Sequence, residues 1–130
     1  MSDSLFSQII RGEIPSYKLY EDDKTYAFLD IHPVQPGHVL VVPKTEVEFV
    51  WDLDEPDYQA LMATVQKLAK RLKTVLQTPY IGSQVVGIDV PHAHVHLIPF
   101  STKAEFRNQP DMEAEPDHQA LAEMAKKLAF

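Results

Sequence analysis

The chain has 130 residues, with 12 Lys plus Arg, 19 Asp plus Glu, 6 His and no Cys. This length suits one domain, residues 1–130, able to hold a core without staples, and 45% hydrophobic with 24% charged residues is a globular balance, not a disordered one. Zero Cys excludes a disulfide framework, a thiol nucleophile and thiolate zinc ligation, and a net charge of −7 argues against a general binder of DNA, RNA or anionic membrane, while leaving room for one small anion in a locally positive pocket.

The start, Met1-Ser2-Asp3-Ser4, is acidic and precedes only a short apolar run, unlike a secretory signal. The longest apolar run, Val39-Leu40-Val41-Val42, is too short to span a bilayer. A soluble cytoplasmic protein is the expectation. Leu5, Phe6, Ile9 and Ile10 at helical spacing predict a short helix, with Ser2 or Asp3 as cap and Gly12 as stop. Two strands follow, 17–21 and 25–29, joined by a polar turn into a hairpin. Residues 30–37, with two Pro and a Gly, form a loop. Residues 38–43 are a third strand, apolar enough for burial on both faces.

A long helix is predicted over 56–76, with an apolar stripe through Leu61, Val65, Leu68 and Leu72, Asp54 as cap and Pro56 in the first turn. Two more strands are predicted at 81–87 and 90–100. Residues 103–115 read as a polar surface excursion, and Leu121, Met124, Ala125 and Leu128 mark a C-terminal helix. The order is α+β with a mainly antiparallel sheet.

Five of the six histidines fall in two stretches: His32 and His38 flank the Pro/Gly loop, and His92, His94 and His96 alternate with Ala93, Val95 and Leu97. On a strand, three imidazoles would share one face at steps of about 7 Å, with the apolar trio packing behind. Three readings compete: histidines of no chemical consequence, a metal site, and nucleophilic catalysis at phosphorus. Imidazole ligates metals well, but the third ring stands far along the strand and only Asp89 offers a nearby carboxylate. Neutral imidazole is also a competent nucleophile near pH 7, and flanking imidazoles can serve phosphate oxygens in an acidic chain.

The run His92-Ala-His94-Val-His96-Leu97-Ile98 resembles the signature of the histidine triad (HIT) superfamily. Leu5-Phe-x-x-Ile-Ile-x-Gly-Glu-Ile-Pro15, Tyr20-Glu-Asp-Asp23, Ala27-Phe-Leu-Asp-Ile31, Pro36-Gly-His38 and Val42-Pro-Lys44 resemble its Hint-like branch, in the same order. The match covers about residues 4–100, which makes 1–100 the family core and leaves 101–130 as a variable extension with a helix, expected to cover a dimer surface or shape the leaving-group side. The resemblance implies a HIT-like fold: a five-stranded antiparallel sheet with a long helix, a short N-terminal helix and a C-terminal helix. It implies a homodimer with two nucleotide sites and cleavage of a P–N bond in purine nucleoside phosphoramidates, through a nucleotidyl-histidine intermediate and without metal or cofactor. His94 matches the nucleophile, His96 and His38 match phosphate contacts, and the carbonyl of His92 matches the group that orients the nucleophile ring. Asp30 matches the ribose ligand, although an Asp here also suits an Asx turn. Ile31 lies against the base, and Phe28, Asp89 and Val90 complete the nucleotide-binding set. His32 and His118 match no family role.

The sequence departs from the family in two places. Gly87-Ile88-Asp89-Val90-Pro91 replaces the usual Gly-Gln-Ser/Thr-Val-x ahead of the triad, and the loop after Gln84 is shortened. Ile88 cannot hydrogen-bond through its side chain, and Asp89 is expected on the leaving-group side, favouring a cationic, amine-bearing leaving group. Many bacterial relatives also carry zinc-binding Cys in the first helix and a His after the Pro-Lys pair. Here those places read Leu-Phe-Ser-Gln at 5–8 and Lys44-Thr-Glu46, so no structural zinc is expected. A non-catalytic nucleotide- or partner-binding module and a dinucleoside polyphosphate hydrolase are the alternatives.

Overall fold

The computed structural model describes residues 4–88 and 90–130. The chain runs α1 (Leu5–Ile10), β1 (Lys18–Glu21), β2 (Thr25–Leu29), β3 (Val39–Pro43), α2 (Glu55–Leu76), β4 (Tyr80–Gln84), β5 (Val95–Phe100), α3 (Lys103–Phe106) and α4 (His118–Leu128), with a 3-10 turn at Val50–Asp52. The β1–β2 hairpin closes because the Asp22 carboxylate accepts from Lys24 N, Thr25 N and Thr25 Oγ1 at 2.8–2.9 Å. This is the local side-chain turn that Asp favours. The strands pair antiparallel in the order β1-β2-β3-β5-β4.

The two faces of this sheet do different work. On one, Ala27, Leu29, Val41 and Leu97 pack with Leu61, Leu68 and Leu72 of α2 and with Leu121 and Leu128 of α4. The α2 leucines repeat at 4- and 7-residue steps, so one stripe of that helix is buried. The Arg71 guanidinium donates to the carbonyls of Leu128 and Ala129 at 3.1 and 3.0 Å, and Phe130 N donates to Leu19 O at 3.0 Å. The C-terminal helix is thereby built into the core rather than laid over it. On the other face, Phe28 and Leu40 meet Phe6 and Ile9 of α1. No helix among the described residues is long and apolar enough to cross a membrane.

Several sequence expectations need correcting. Ser4, not Ser2 or Asp3, caps α1, its hydroxyl accepting from Ser7 N; Ser2 and Asp3 lie outside the described residues. Asp54 holds the cap position of α2 but its side chain makes no capping bond. The excursion at 103–115 contains α3, begun by a Thr102/Glu105 capping box whose Thr-x-x-Glu spacing was readable. β4 stops at Gln84 and β5 starts at Val95, not Val90. Pro91 has no N–H to give a ladder. His92 N instead donates back to Val90 O at 2.8 Å, and Ala93 N donates to Val47 O at 2.8 Å.

Candidate active site

The sharp return of the 30–37 loop brings two histidines together. Asp30 N donates to His38 O at 2.9 Å and His38 N to Gln35 O at 3.0 Å, across Gly37 at φ +91°. β3 then runs beside β5 with Leu40 opposite His96. This places His38 Nε2 3.0 Å from His96 Nδ1.

The proton positions follow from the partners. Val34 N donates to His38 Nδ1 at 3.1 Å, so that nitrogen is bare. Burial, with the charge of His96 adding to it, pushes the His38 imidazole down to about 3. A neutral ring with a bare Nδ1 carries its hydrogen on Nε2 and donates it to His96 Nδ1. His96, in its neutral form, then holds its own hydrogen on Nε2. His94 is fixed in the opposite sense. Its Nδ1 lies 2.7 Å from the carbonyl oxygen of His92, which only accepts, so Nδ1 carries a hydrogen and, in the neutral form of the ring, Nε2 keeps its lone pair. The His94 ring stands edge-on to Phe6 and to His96, each with centroids 5.0 Å apart.

His92 lies on the same α1 side as His94, its ring edge-on to Phe6 at 5.9 Å, but it does not continue the row along β5. The residues before Val95 are outside the strand, so period-2 alternation does not reach back to it, whereas Ala93, Val95 and Leu97 do pack in the α2 core. The His92 ring is 0% exposed and turned inward. Its Nε2 is 2.7 Å from Pro43 O and its Nδ1 is 2.7 Å from Ser4 Oγ. Its backbone carbonyl, rather than a ring nitrogen, bonds His94.

An apolar cleft of about 170 Å³ lies on the α1 side of the sheet, lined by Ile9, Ile14, Phe28 and Leu40 together with Asp30 and Ile31. Phe28 is buried and meets Phe6 edge-on at 5.5 Å, while Ile31 is 42% exposed. Asp30 Oδ1 accepts from His32 N at 2.8 Å, the Asx turn, and its Oδ2 stands 3.7 Å from His38 Nε2. Val90 is half-buried against the α1-side cluster. Asp89 lies outside the described residues. His32 and His118 sit away from this cleft, bonded to Ala114 O and to the Tyr17 hydroxyl.

The description HIT domain matches residues 11–103. The chain belongs to the HIT domain family. A HIT-like protein of Borreliella burgdorferi is 38% identical over 106 residues, 76% of either chain. An adenosine 5'-monophosphoramidase of Candida albicans is 37% identical over 112 residues, covering 77% of this chain and 72% of its own. The crystal structure of a HIT-like protein involved in cell-cycle regulation from Bartonella henselae superposes with TM-score 0.82 at 34% identity, over 97% of this chain and 94% of that one. These relatives bear out the Hint-like resemblance and the five-stranded α+β fold.

Within this HIT chain two side-chain groups bear on metals. Asp30, His38 and His96 each bring one ligand atom within 4.8 Å of the others and could hold an ion. In the arrangement seen, the His38–His96 hydrogen bond uses the two nitrogens involved. The second group is Ser4, Ser7, Glu46 and His92, where the two segments that carry zinc ligands in many relatives converge. This donor set does not suit zinc. Hydroxyls are poor partners for that ion, and Ser7 Oγ to Glu46 Oε1 at 2.5 Å and Ser4 Oγ to His92 Nδ1 at 2.7 Å are closer than the roughly 3.3 Å between tetrahedral zinc ligands. Reading the sequence for site residues missed Ser4, Ser7 and Glu46. The signal was there in the departures at 5–8 and 44–46, but what those residues do instead was not.

Proposed function

We propose that this HIT-family chain is a nucleotide-binding hydrolase that cleaves purine nucleoside phosphoramidates, or related AMP conjugates, at the α-phosphate through a nucleotidyl intermediate on His94. The observation that carries this reading is the 2.7 Å bond from His94 Nδ1 to the His92 carbonyl, which leaves Nε2 with a free electron pair. The likeness to an adenosine 5'-monophosphoramidase supports the substrate class.

The chemistry follows from the proton positions. His94 Nε2 attacks phosphorus, and the P–N bond breaks with its electron pair going to nitrogen, which leaves as an amine protonated from water. The nucleotidyl-imidazole then carries positive charge, which the His92 carbonyl steadies through the Nδ1–H. Water attacks the same phosphorus, a P–O bond forms, and His94 returns to its neutral form as a proton passes to solvent. His96 donates to a phosphate oxygen through Nε2–H, and His38 holds it in that tautomer. Asp30 takes the ribose hydroxyls, and the cleft between Phe28 and Ile31 takes the base. Val90 borders the phosphate and leaving group. No cofactor is needed. The open edge of β4, with exposed Tyr80, Val86 and Ile88 nearby, supports a homodimer. We place the protein in the cytoplasm.

The test is AMP release from adenosine 5'-phosphoramidate with a chelator present. Wild type turns over, and His94→Ala loses about three orders of magnitude or more. Turnover by His94→Ala at the wild-type rate sinks the mechanism. AMP binding with no wild-type turnover favours a binding module, and faster cleavage of diadenosine polyphosphates favours P–O chemistry.

A further inference from the structure

Ser4, Ser7 and Glu46 stand outside the cleft, yet all three converge on the ring of His92. Ser4 Oγ also lies 3.3 Å from Ser7 Oγ and Ser7 Oγ 3.4 Å from His92 Nδ1, and the shorter contacts set the direction of the hydrogen bonds. His92 Nε2 faces the Pro43 carbonyl at 2.7 Å, so it carries the ring hydrogen. Burial, ahead of any other cause, holds the His92 imidazole below its usual range, so the ring is neutral and Nδ1 is bare. The Ser4 hydroxyl at 2.7 Å is therefore the donor to Nδ1, while its oxygen accepts from Ser7 N at 3.0 Å as the helix cap. The Ser7 hydroxyl at 2.5 Å and Ser4 N at 2.8 Å both donate to one oxygen of Glu46. Those two donors pull the Glu46 carboxyl down to about 2, so it is an acceptor throughout the working range.

The consequence lies one residue along. Residues 91–94 belong to no strand, and the segment's own backbone bonds are those from His92 N and Ala93 N. The peptide that carries the His92 carbonyl is anchored through its own N–H, from Ala93 N to Val47 O, and the His92 ring, gripped from the α1 cap and from the end of β3, fixes the other side of the same residue. The same residue's carbonyl meets His94 Nδ1 at 2.7 Å. We propose that Ser4, Ser7 and Glu46 are positioning residues that clamp His92, so that its carbonyl selects the Nδ1–H form of His94 and leaves Nε2 bare for attack. This proposal rests on the reading of His94 as nucleophile for its kinetic consequence, but not for the clamp itself.

Two readouts separate the clamp from that reading. The first is the nitrogen-15 spectrum of the histidine rings, which needs no substrate. Wild type shows His92 as the Nε2–H form and His94 as the Nδ1–H form. Ser4→Ala shows His94 divided between both forms, and Ser4→Thr restores the wild-type pattern. The second is turnover of adenosine 5'-phosphoramidate. Hydrogen bonds that orient a metal-ligating imidazole are worth about 10- to 100-fold, and the same scale is expected for one that orients a nucleophile. Ser4→Ala accordingly lowers kcat by about tenfold or more with KM within about twofold, and Ser4→Thr recovers most of it. Glu46 is exposed, so its variants keep the fold even where Ser4→Ala does not. Glu46→Gln, which still accepts from Ser7, stays near wild type, and Glu46→Ala loses rate as Ser4→Ala does. The proposal is overturned by an undivided Nδ1–H His94 and wild-type kcat in folded Ser4→Ala and Glu46→Ala. A His94→Ala enzyme that still turns over removes the nucleophile reading, yet leaves the ring spectra to decide the clamp.

Discussion

His38 is 3% exposed and stays neutral in the fold down to about pH 3, because burial penalises its charged form and His96 lies beside it. Unfolded, the same imidazole titrates near 6.5. Between these values the unfolded chain binds a proton that the folded chain does not, so stability rises with pH. The full contribution is present above 6.5 and is lost as pH falls toward 3. From pH 7.5 to 5.0 the loss from His38 alone is about 2 kcal/mol. His92, held down by burial, adds to it in the same direction. Glu46 is silent in that window: its lowered value stabilises the fold above its ordinary 4.5, and that share is lost only as pH drops toward about 2. Urea unfolding at pH 7.5 and 5.0 measures this, and a flat profile contradicts a neutral His38. Asp30 shows why single residues read ambiguously. The sequence allowed a turn former or a ribose ligand, and one carboxylate oxygen serves the turn while the other points toward His38.

At the scale of elements, glycines test how the site is delivered. Gly37 combines φ +91° with a position where a Cβ would meet Leu76 Cδ1 at 2.7 Å and Pro99 Cγ at 3.2 Å. Gly12, at φ +79°, has open space around it. Gly12→Ala therefore costs only the left-handed backbone penalty, about 1 kcal/mol. Gly37→Ala adds overpacking of about 1–3 kcal/mol and displaces the loop that aims His38. Thermal melts should rank Gly37→Ala well below Gly12→Ala, with AMP release lost only in the former. Equal melting temperatures would contradict the close approach of Leu76. The long helix was legible because its apolar stripe runs over many residues, and the hairpin because a short polar turn joins two strand-like runs. β5 was overextended because an alternating His-x-His pattern mimics a strand, while Pro91 and the bonds to Val47 and Val90 end the ladder at Val95.

For the whole molecule, the question is what covers β4. Among the described residues that strand pairs only with β5, and Tyr80 at its start and Ile88 beyond its end are 57% and 81% exposed. Unpaired apolar edges invite a partner. Light scattering should give the mass of two chains, and Val86→Asp with Ile88→Asp should yield a folded monomer. A monomeric wild type at micromolar concentration would reject the homodimer. The C-terminal helix, read from sequence as an extension, closes the main core through Leu121 and Leu128 and walls a second cavity of about 250 Å³ behind the 30–37 loop.

By itself, the sequence determined the order of the main elements, the apolar stripe of α2, the family and the histidines proposed to carry the chemistry. These are local patterns, and hydrophobic period and motif spacing report them directly. Tertiary structure alone decided which way the His92 ring turns, which nitrogen of each histidine holds its hydrogen, and what Ser4 and Glu46 do. Ser4 and His92 are 88 residues apart and Ser7 and Glu46 are 39 apart. A proton's position depends on the partner facing it, and here those partners meet only because α1 closes over the end of β3.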